Sequence, residues 1–342
     1  MVIERKNILV IGGAGFMGSH LCDYLVEHHH VIALDDFISG AQENIDHLLR
    51  NPNFEFIKHD ISQPIDLESL PELRKFKIKA RGIAQVYNLA CPTSAKDFEK
   101  YKIQTVDTNA IGTKNALEIA LKFKARFLHF SSSVVYGPRP VDGSQFREDY
   151  LGQVDFLSPR ACYDEGKRFA EAIVATYRQV YNLDAKIARI FTAYGPRMKL
   201  FDGQMLPDFI VDALENRDLV IYGDQTFSRS LCYISDILDG AIKLMESEES
   251  GPINLGSEED YRLYDIAQSI IKMTGSKSQI VFKDPLLFMT PLGLPDITLA
   301  KEKLGWLPVV RLEDGLQKTI DYTKAHKGLL TLERADFQSD QK

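Results

Sequence analysis

The stretch NILVIGGAGFMGSHLC, residues 7–22, constrains this chain more than any other. An apolar run ends in glycines at Gly12, Gly15 and Gly18, and helical periodicity begins at once. Glycine at that spacing permits a tight turn and a close backbone approach to a pyrophosphate, which the N-terminus of the following helix then holds. Phe16 and Met17 fall at the start of that helix. Seventeen residues past Gly18, a second apolar run, HVIALDDF, closes on Asp35 and Asp36. A carboxylate there accepts hydrogen bonds from the adenosine ribose hydroxyls and repels a 2′-phosphate, so the expected cofactor is NAD. Two more strand ends complete the expected cradle. HDI, with Asp60 and Ile61, belongs near the adenine, and NLA, with Leu89 and Ala90, on the pyrophosphate side.

The alternation continues. FEFIKHD, QVYNLACP, RFLHFSSS and AKIARIF read as short buried strands, and TNAIGTKNALEIALKFK and ACYDEGKRFAEAIVATYRQVYN read as amphipathic helices. Apolar strands alternating with helices imply a parallel sheet covered on both faces. The expected fold is α/β: a Rossmann-type doubly wound parallel sheet with a smaller, discontinuous C-terminal α/β substrate lobe. Residues 1–190 and about 230–250 are expected in the dinucleotide domain, with CYISDILDGAIKLME folding back onto it. About 191–229 and 251–330, including GPINLGS, are expected in the lobe, and 331–342 in a frayed polar tail.

Composition narrows the function classes. A net charge of −7 argues against a nucleic-acid binder. No apolar run reaches membrane-spanning length. The first strand starts almost at the N-terminus, which leaves no signal peptide. Cys22, Cys91, Cys162 and Cys232 show no paired spacing and read as reduced thiols, so the expected location is cytoplasmic. No metal is expected, because the adjacent His28, His29 and His30 cannot share a helix face.

Catalytic chemistry is expected where FSSSVVYG, residues 130–137, meets the long helix. Tyr163 and Lys167 are four residues apart, so their side chains share a helix face. A neighbouring ammonium and an oxidised nicotinamide both favour tyrosinate, which makes Tyr163 the expected base. Ser132, at the strand end, hydrogen-bonds the same substrate oxygen. The three together suit removal of a proton from a secondary alcohol as hydride leaves. YGDQTFSRS offers Arg229 as a diphosphate partner, and Phe209 and Tyr222 are candidates for the wall of the base pocket.

GGAGFMGSHLCDYL, HDI, TNAIGT, PRACYDEGKR, ARIF, YGPRM and LGWLPVVRLEDGL run in the order found in a known family, over about residues 5–325. The chain resembles the extended short-chain dehydrogenase/reductases that act on nucleotide sugars, and among them the UDP-glucuronate decarboxylases. That resemblance implies oxidation of the sugar C4 hydroxyl by bound NAD, loss of the C6 carboxylate as CO2, and reduction of the 4-ketone. It implies sugar contacts from Ser133, Thr192 and Arg197, and a homodimer joined through a four-helix bundle built from helices at 109–123 and 161–181.

The pattern departs from that family on the sugar side. Val134 stands where relatives carry glutamate, Gly293 and Leu294 stand where the decarboxylases carry a basic pair, and Thr192 replaces an asparagine. Without a carboxylate after Ser133, nothing removes the C5 proton, which argues against a dehydratase. Lys96, Lys100 and Lys199 are candidates to replace the missing cation. Three outcomes stay open: decarboxylation, 4-epimerisation and net 4-dehydrogenation. A non-catalytic paralogue that binds NAD or a nucleotide sugar is the alternative from another class.

Overall fold

The computed structural model describes residues 5–94, 99–285 and 292–326. The tail expected at 331–342 lies outside the described residues, as does Lys96. Six strands, β1 (Asn7–Ile11), β2 (His30–Asp35), β3 (Phe54–Lys58), β4 (Gln85–Asn88), β5 (Arg126–Ser132) and β6 (Ala185–Ile190), form a parallel sheet in the order β3-β2-β1-β4-β5-β6. A seventh strand, Pro252–Leu255, pairs in parallel with β6 and closes that edge. The expected assignment of GPINLGS to the smaller lobe is corrected here. The strand is apolar and buried along Ile253–Leu255, and the free edge of β6 pairs its backbone groups.

Alternate residues of each strand enter opposite layers, as a pleated strand requires. Ile8 and Val10 of β1, with Val31 and Ala33 of β2, face the helices Phe16–Val26 and Ile234–Glu246. Leu9, Ile11, Ile32 and Leu34 face the helices Thr113–Phe123 and Ala161–Tyr181. Both faces are therefore dry, which explains the near-continuous apolar runs in the sequence. The helix Ile234–Glu246 packs on β5 and β6, as its apolar stripe demands.

Three two-stranded ribbons and the helices Met205–Leu214, Leu263–Thr274 and Leu312–Ala325 stand beyond the C-terminal ends of the strands. Trp306 ties this part down. Its ring is fully buried and its Nε1 donates to the Asp236 carbonyl at 2.9 Å. The Asp236 carboxylate accepts from Val309 and Val310 N–H at 3.0 and 2.9 Å. Sheet order reverses direction between β1 and β4, and ligands of such sheets lie outside the strand ends at that point.

Candidate active site

A cleft of about 1230 Å³ opens there. It is walled on one side by the glycine turn, Asp35, Asp36, Asp60, Ile61, Leu89 and Ala90. On the other side stand Ser131–Val134, Tyr163, Thr192, Arg197, Phe209, Tyr222 and Arg229. The structure thus gathers the site residues expected from sequence along one cavity, with Lys167 behind Tyr163.

The glycine turn fits a dinucleotide. Gly12 has φ of +83°, in the left-handed region, and a Cβ there would meet Ala90 N at 2.8 Å. A Cβ on Gly18 would lie 2.0 Å from the Gly12 carbonyl oxygen, so only glycine lets helix and turn close up. The helix Phe16–Val26 has no acid in its first turn and no side-chain cap on Gly15. Its positive end is left for an anion.

Asp35 closes the β2 end. Its carboxylate accepts from Ala14 N–H at 3.0 Å and Phe37 N–H at 2.8 Å. Burial pushes its pKa up to about 6, and the neighbouring Asp36 adds to the rise. Asp36 accepts from Ile38 N–H at 3.0 Å, and Asp60 from Ser62 N–H at 2.8 Å. Three carboxylates at this end suit ribose hydroxyls and disfavour a 2′-phosphate.

Tyr163 and Lys167 occupy one face of Ala161–Tyr181, as spacing requires. The Lys167 ammonium is buried and donates to the Phe130 carbonyl at 2.8 Å. Burial lowers its pKa, while Cys91 and Glu171 oppose that. Ser132 ends β5 and caps the turn Ser133–Tyr136, its Oγ accepting from Val134 N–H at 3.4 Å. It is also hydrogen-bonded to the Tyr163 side chain. In the protein without nicotinamide, the Tyr163 pKa is pushed up. Burial is the main cause and Cys91 adds to it, while the Ser132 hydrogen bond and Arg160 act the other way. A cationic group bound beside the phenol strengthens that opposing pull.

Below the trio lies a buried polar seam. The Glu171 carboxylate, one turn beyond Lys167, accepts from Ser131 Oγ at 2.5 Å and from Arg189 Nη2 at 2.7 Å. Arg189 Nη1 donates to Tyr136 Oη at 2.8 Å, and Tyr136 Oη donates to Asn254 Oδ1 at 2.7 Å. The seam links the helix Ala161–Tyr181, the β5 end and the sheet edge.

Sequence reasoning gave no role to Asn109, Arg160, Glu171, Cys91 or Leu292. Asn109 sits on a π-helical turn, Thr108–Gly112, and donates to Thr105 O at 2.8 Å and Cys91 Sγ at 3.1 Å. Such turns gather at functional sites, but an i→i+5 turn leaves no simple sequence pattern. Arg160 precedes Tyr163 by one turn, lines the cleft, and pairs with Asp164 at 3.2 Å.

The remaining cations divide. Arg229 is half-buried in the cleft, and among the described residues no carboxylate pairs with it. Burial and the nearby Arg160 both lower its pKa, so this corner attracts an anion. Arg197 lines the cleft but its Nη2 is held by Asp23 at 2.7 Å. Lys199 lines the cleft, while Lys100 lies over the Tyr101 ring, 5.2 Å from its centroid.

Val134 packs against Tyr163, with Cys91, Cys162 and Leu292 around them. Gly293 is buried, and a Cβ there would meet the Phe146 ring at 2.4 Å. Phe146 is itself stacked on Tyr136, with centroids 4.7 Å apart.

The model of the NAD dependent epimerase/dehydratase family matches residues 8–256. UDP-glucuronic acid decarboxylase 1 of Danio rerio is 40% identical over 320 residues, covering 93% of this chain and 73% of that protein. The structure of UDP-glucuronic acid 4-epimerase from Bacillus cereus, in complex with UDP-glucuronic acid and NAD, superposes with a TM-score of 0.81 at 31% identity. That match covers 93% of this chain and 99% of the other. UDP-glucose 4-epimerase of Thermotoga maritima, with UDP-glucose, gives a TM-score of 0.81 at 28% identity, covering 94% and 99%. Among the described residues no helix is long and apolar enough to cross a membrane.

Proposed function

Because this chain belongs to the NAD dependent epimerase/dehydratase family, we propose that it oxidises the C4 carbinol of a UDP-linked sugar and reduces the resulting ketone again. The observation that carries this reading is the convergence of Tyr163, Ser132 and the glycine-turn cleft on one cavity. When bound, NAD would supply the hydride-transfer chemistry that such an oxidation and re-reduction needs. Gly12, Gly15, Phe16 and Met17 would hold its pyrophosphate side and Asp35 its ribose. Tyr163 takes the hydroxyl proton, and Ser132 holds the same oxygen at the strand end. Lys167, fixed on the Phe130 carbonyl, adds positive charge behind the phenol. Arg229, with Arg160 nearby, receives the diphosphate, and Phe209 and Tyr222 flank the nucleoside.

Val134 and Ser133 offer no acid or base to the C5 position. Elimination of water is therefore disfavoured, and turnover of the ketone with reduction on its other face gives a 4-epimerase. A second reading, decarboxylation, rests on the 40% identity to the Danio rerio decarboxylase. A 4-keto uronate is a β-keto acid and loses CO2 with little acid catalysis.

Incubation with UDP-glucose, UDP-xylose and UDP-glucuronate separates these readings when product configuration, CO2 and NADH are all followed. Tyr163→Phe should lower turnover about 10²-fold or more. A mutant as fast as wild type refutes the assigned base.

We further propose that two chains associate through the outer faces of the 102–123 and 161–181 helices. Ile103, Val106, Ile111 and Phe169 are exposed there on helices that pack together. Light scattering should give a mass of two chains, reduced towards one by Phe169→Lys.

A further inference from the structure

A pyranose whose C4 carbinol meets Tyr163 presents two neighbours to the surrounding wall: the C3 hydroxyl and the C5 substituent. The first is polar in any such sugar and needs hydrogen-bonding partners. The second varies between hydrogen, methyl, hydroxymethyl and carboxylate. The apolar part of the wall around Tyr163 is Val134, Cys91 and Leu292, all three of which line the cleft, while Ser132 and Arg160 reach the same side chain. Carbon and sulfur surfaces give a hydroxyl or a carboxylate little in return for the water it sheds. This wall therefore suits the C5 substituent and not the C3 hydroxyl.

Two further observations bear on its charge. A Cβ at Gly293 would lie 2.4 Å from the Phe146 ring, so no longer side chain fits at that position without displacing Phe146. Phe146 is locked by stacking on Tyr136, whose hydroxyl is bound by Arg189 and Asn254. Arg160 lies within electrostatic reach of both Tyr163 and Arg229, and with Arg229 it marks the corner matched to a diphosphate.

We infer that the pocket beside Tyr163 selects a nucleotide sugar whose C5 substituent is hydrogen or methyl, a pentose or a 6-deoxyhexose, with Val134 and Leu292 as the specificity-determining residues. The inference rests on the C4-oxidation reading above and narrows its substrate class.

Binding and turnover test the two separately. The NAD-loaded protein is titrated calorimetrically with four UDP sugars alike at C2, C3 and C4: UDP-xylose, UDP-6-deoxyglucose, UDP-glucose and UDP-glucuronate. The first two should bind about tenfold or more tightly than the last. Val134→Thr, close in shape, should narrow the gap between UDP-6-deoxyglucose and UDP-glucose several-fold. Equal or tighter binding of UDP-glucuronate, or release of CO2 from it at a rate matching turnover of UDP-xylose, overturns the inference. The expected binding order without any NADH or product counts for the pocket and against the redox reading, so each can fail alone.

Discussion

On the dinucleotide side of Tyr163, the cleft wall consists of strand ends and the turns that leave them. On the sugar side it is assembled from segments that are distant in sequence: Cys91 after β4, Val134 after β5, Thr192 after β6, Arg229 from a ribbon, and Leu292 beyond residue 285. The dinucleotide wall works largely through backbone groups, as at Gly12, Gly18 and the N–H donors that fix Asp35. The sugar wall works through side chains. A backbone wall tolerates few changes in sequence, because each glycine is demanded by a contact distance. A side-chain wall can be re-specified by single substitutions, and Val134 and Thr192 are such positions.

The sharpest way to break this division is at the seam beneath both halves. Glu171→Gln leaves Arg189 buried without its counter-charge; both side chains are only 12% exposed in the ion pair. Loss of one partner of a buried pair costs about 3–5 kcal/mol. A fall in Tm on the order of 10 °C is expected in calorimetry. Weaker binding of both NAD and nucleotide sugar should accompany it, because Ser131 and the helix that carries Tyr163 share the lost contact. Damage confined to one ligand would show that the seam serves only one wall.

A smaller effect should stay on one side. Asp35→Asn removes the carboxylate from the ribose end and should weaken NAD about 10- to 100-fold. Nucleotide-sugar affinity, measured in the same titration series, should not move. A parallel loss in both would mean that the two walls are coupled.

The smallest effect is one of pH. Burial raises the Asp35 pKa to about 6, and ribose hydroxyls donate to its ionised form. NAD affinity should therefore rise with pH through about 6, level off above it, and fall several-fold on acidification below it. Stability of the free protein has the opposite sign. The stabilising contribution of protonated Asp35 is complete below the ordinary carboxylate range and is lost as pH rises through about 6. A pH-independent NAD affinity between 5 and 7, in a titration of Asp35→Asn against wild type, would separate the ribose contact from this carboxylate.

Much of this was open to reading from residues alone, for a physical reason. The glycine turn, Asp35 and the Tyr163–Lys167 pair are defined by short spacings, and local geometry converts spacing into position. The strand Pro252–Leu255 was misplaced because an apolar run of that length carries no mark of which sheet edge it will join. Glu171 and Asn109 were missed for a similar reason. A carboxylate on a helix and an asparagine before an alanine look ordinary until a fold buries them. The burial that raises the Tyr163 pKa in the protein alone was equally hidden, because the sequence supplies the neighbouring charges but not the depth of burial.

The sequence by itself determined the parallel α/β architecture, pointed to NAD as cofactor, and supplied Tyr163, Lys167 and Ser132 as the expected proton-handling trio. Each follows from periodicity or from a spacing of a few residues, which the backbone turns into geometry without outside help. Only the tertiary structure decided that Val134, Cys91 and Leu292 form one apolar surface against Tyr163, and that Phe146 fills the space next to Gly293. Those contacts join parts of the chain separated by up to two hundred residues, and long-range packing is settled by shape and burial over the whole core rather than by any local pattern.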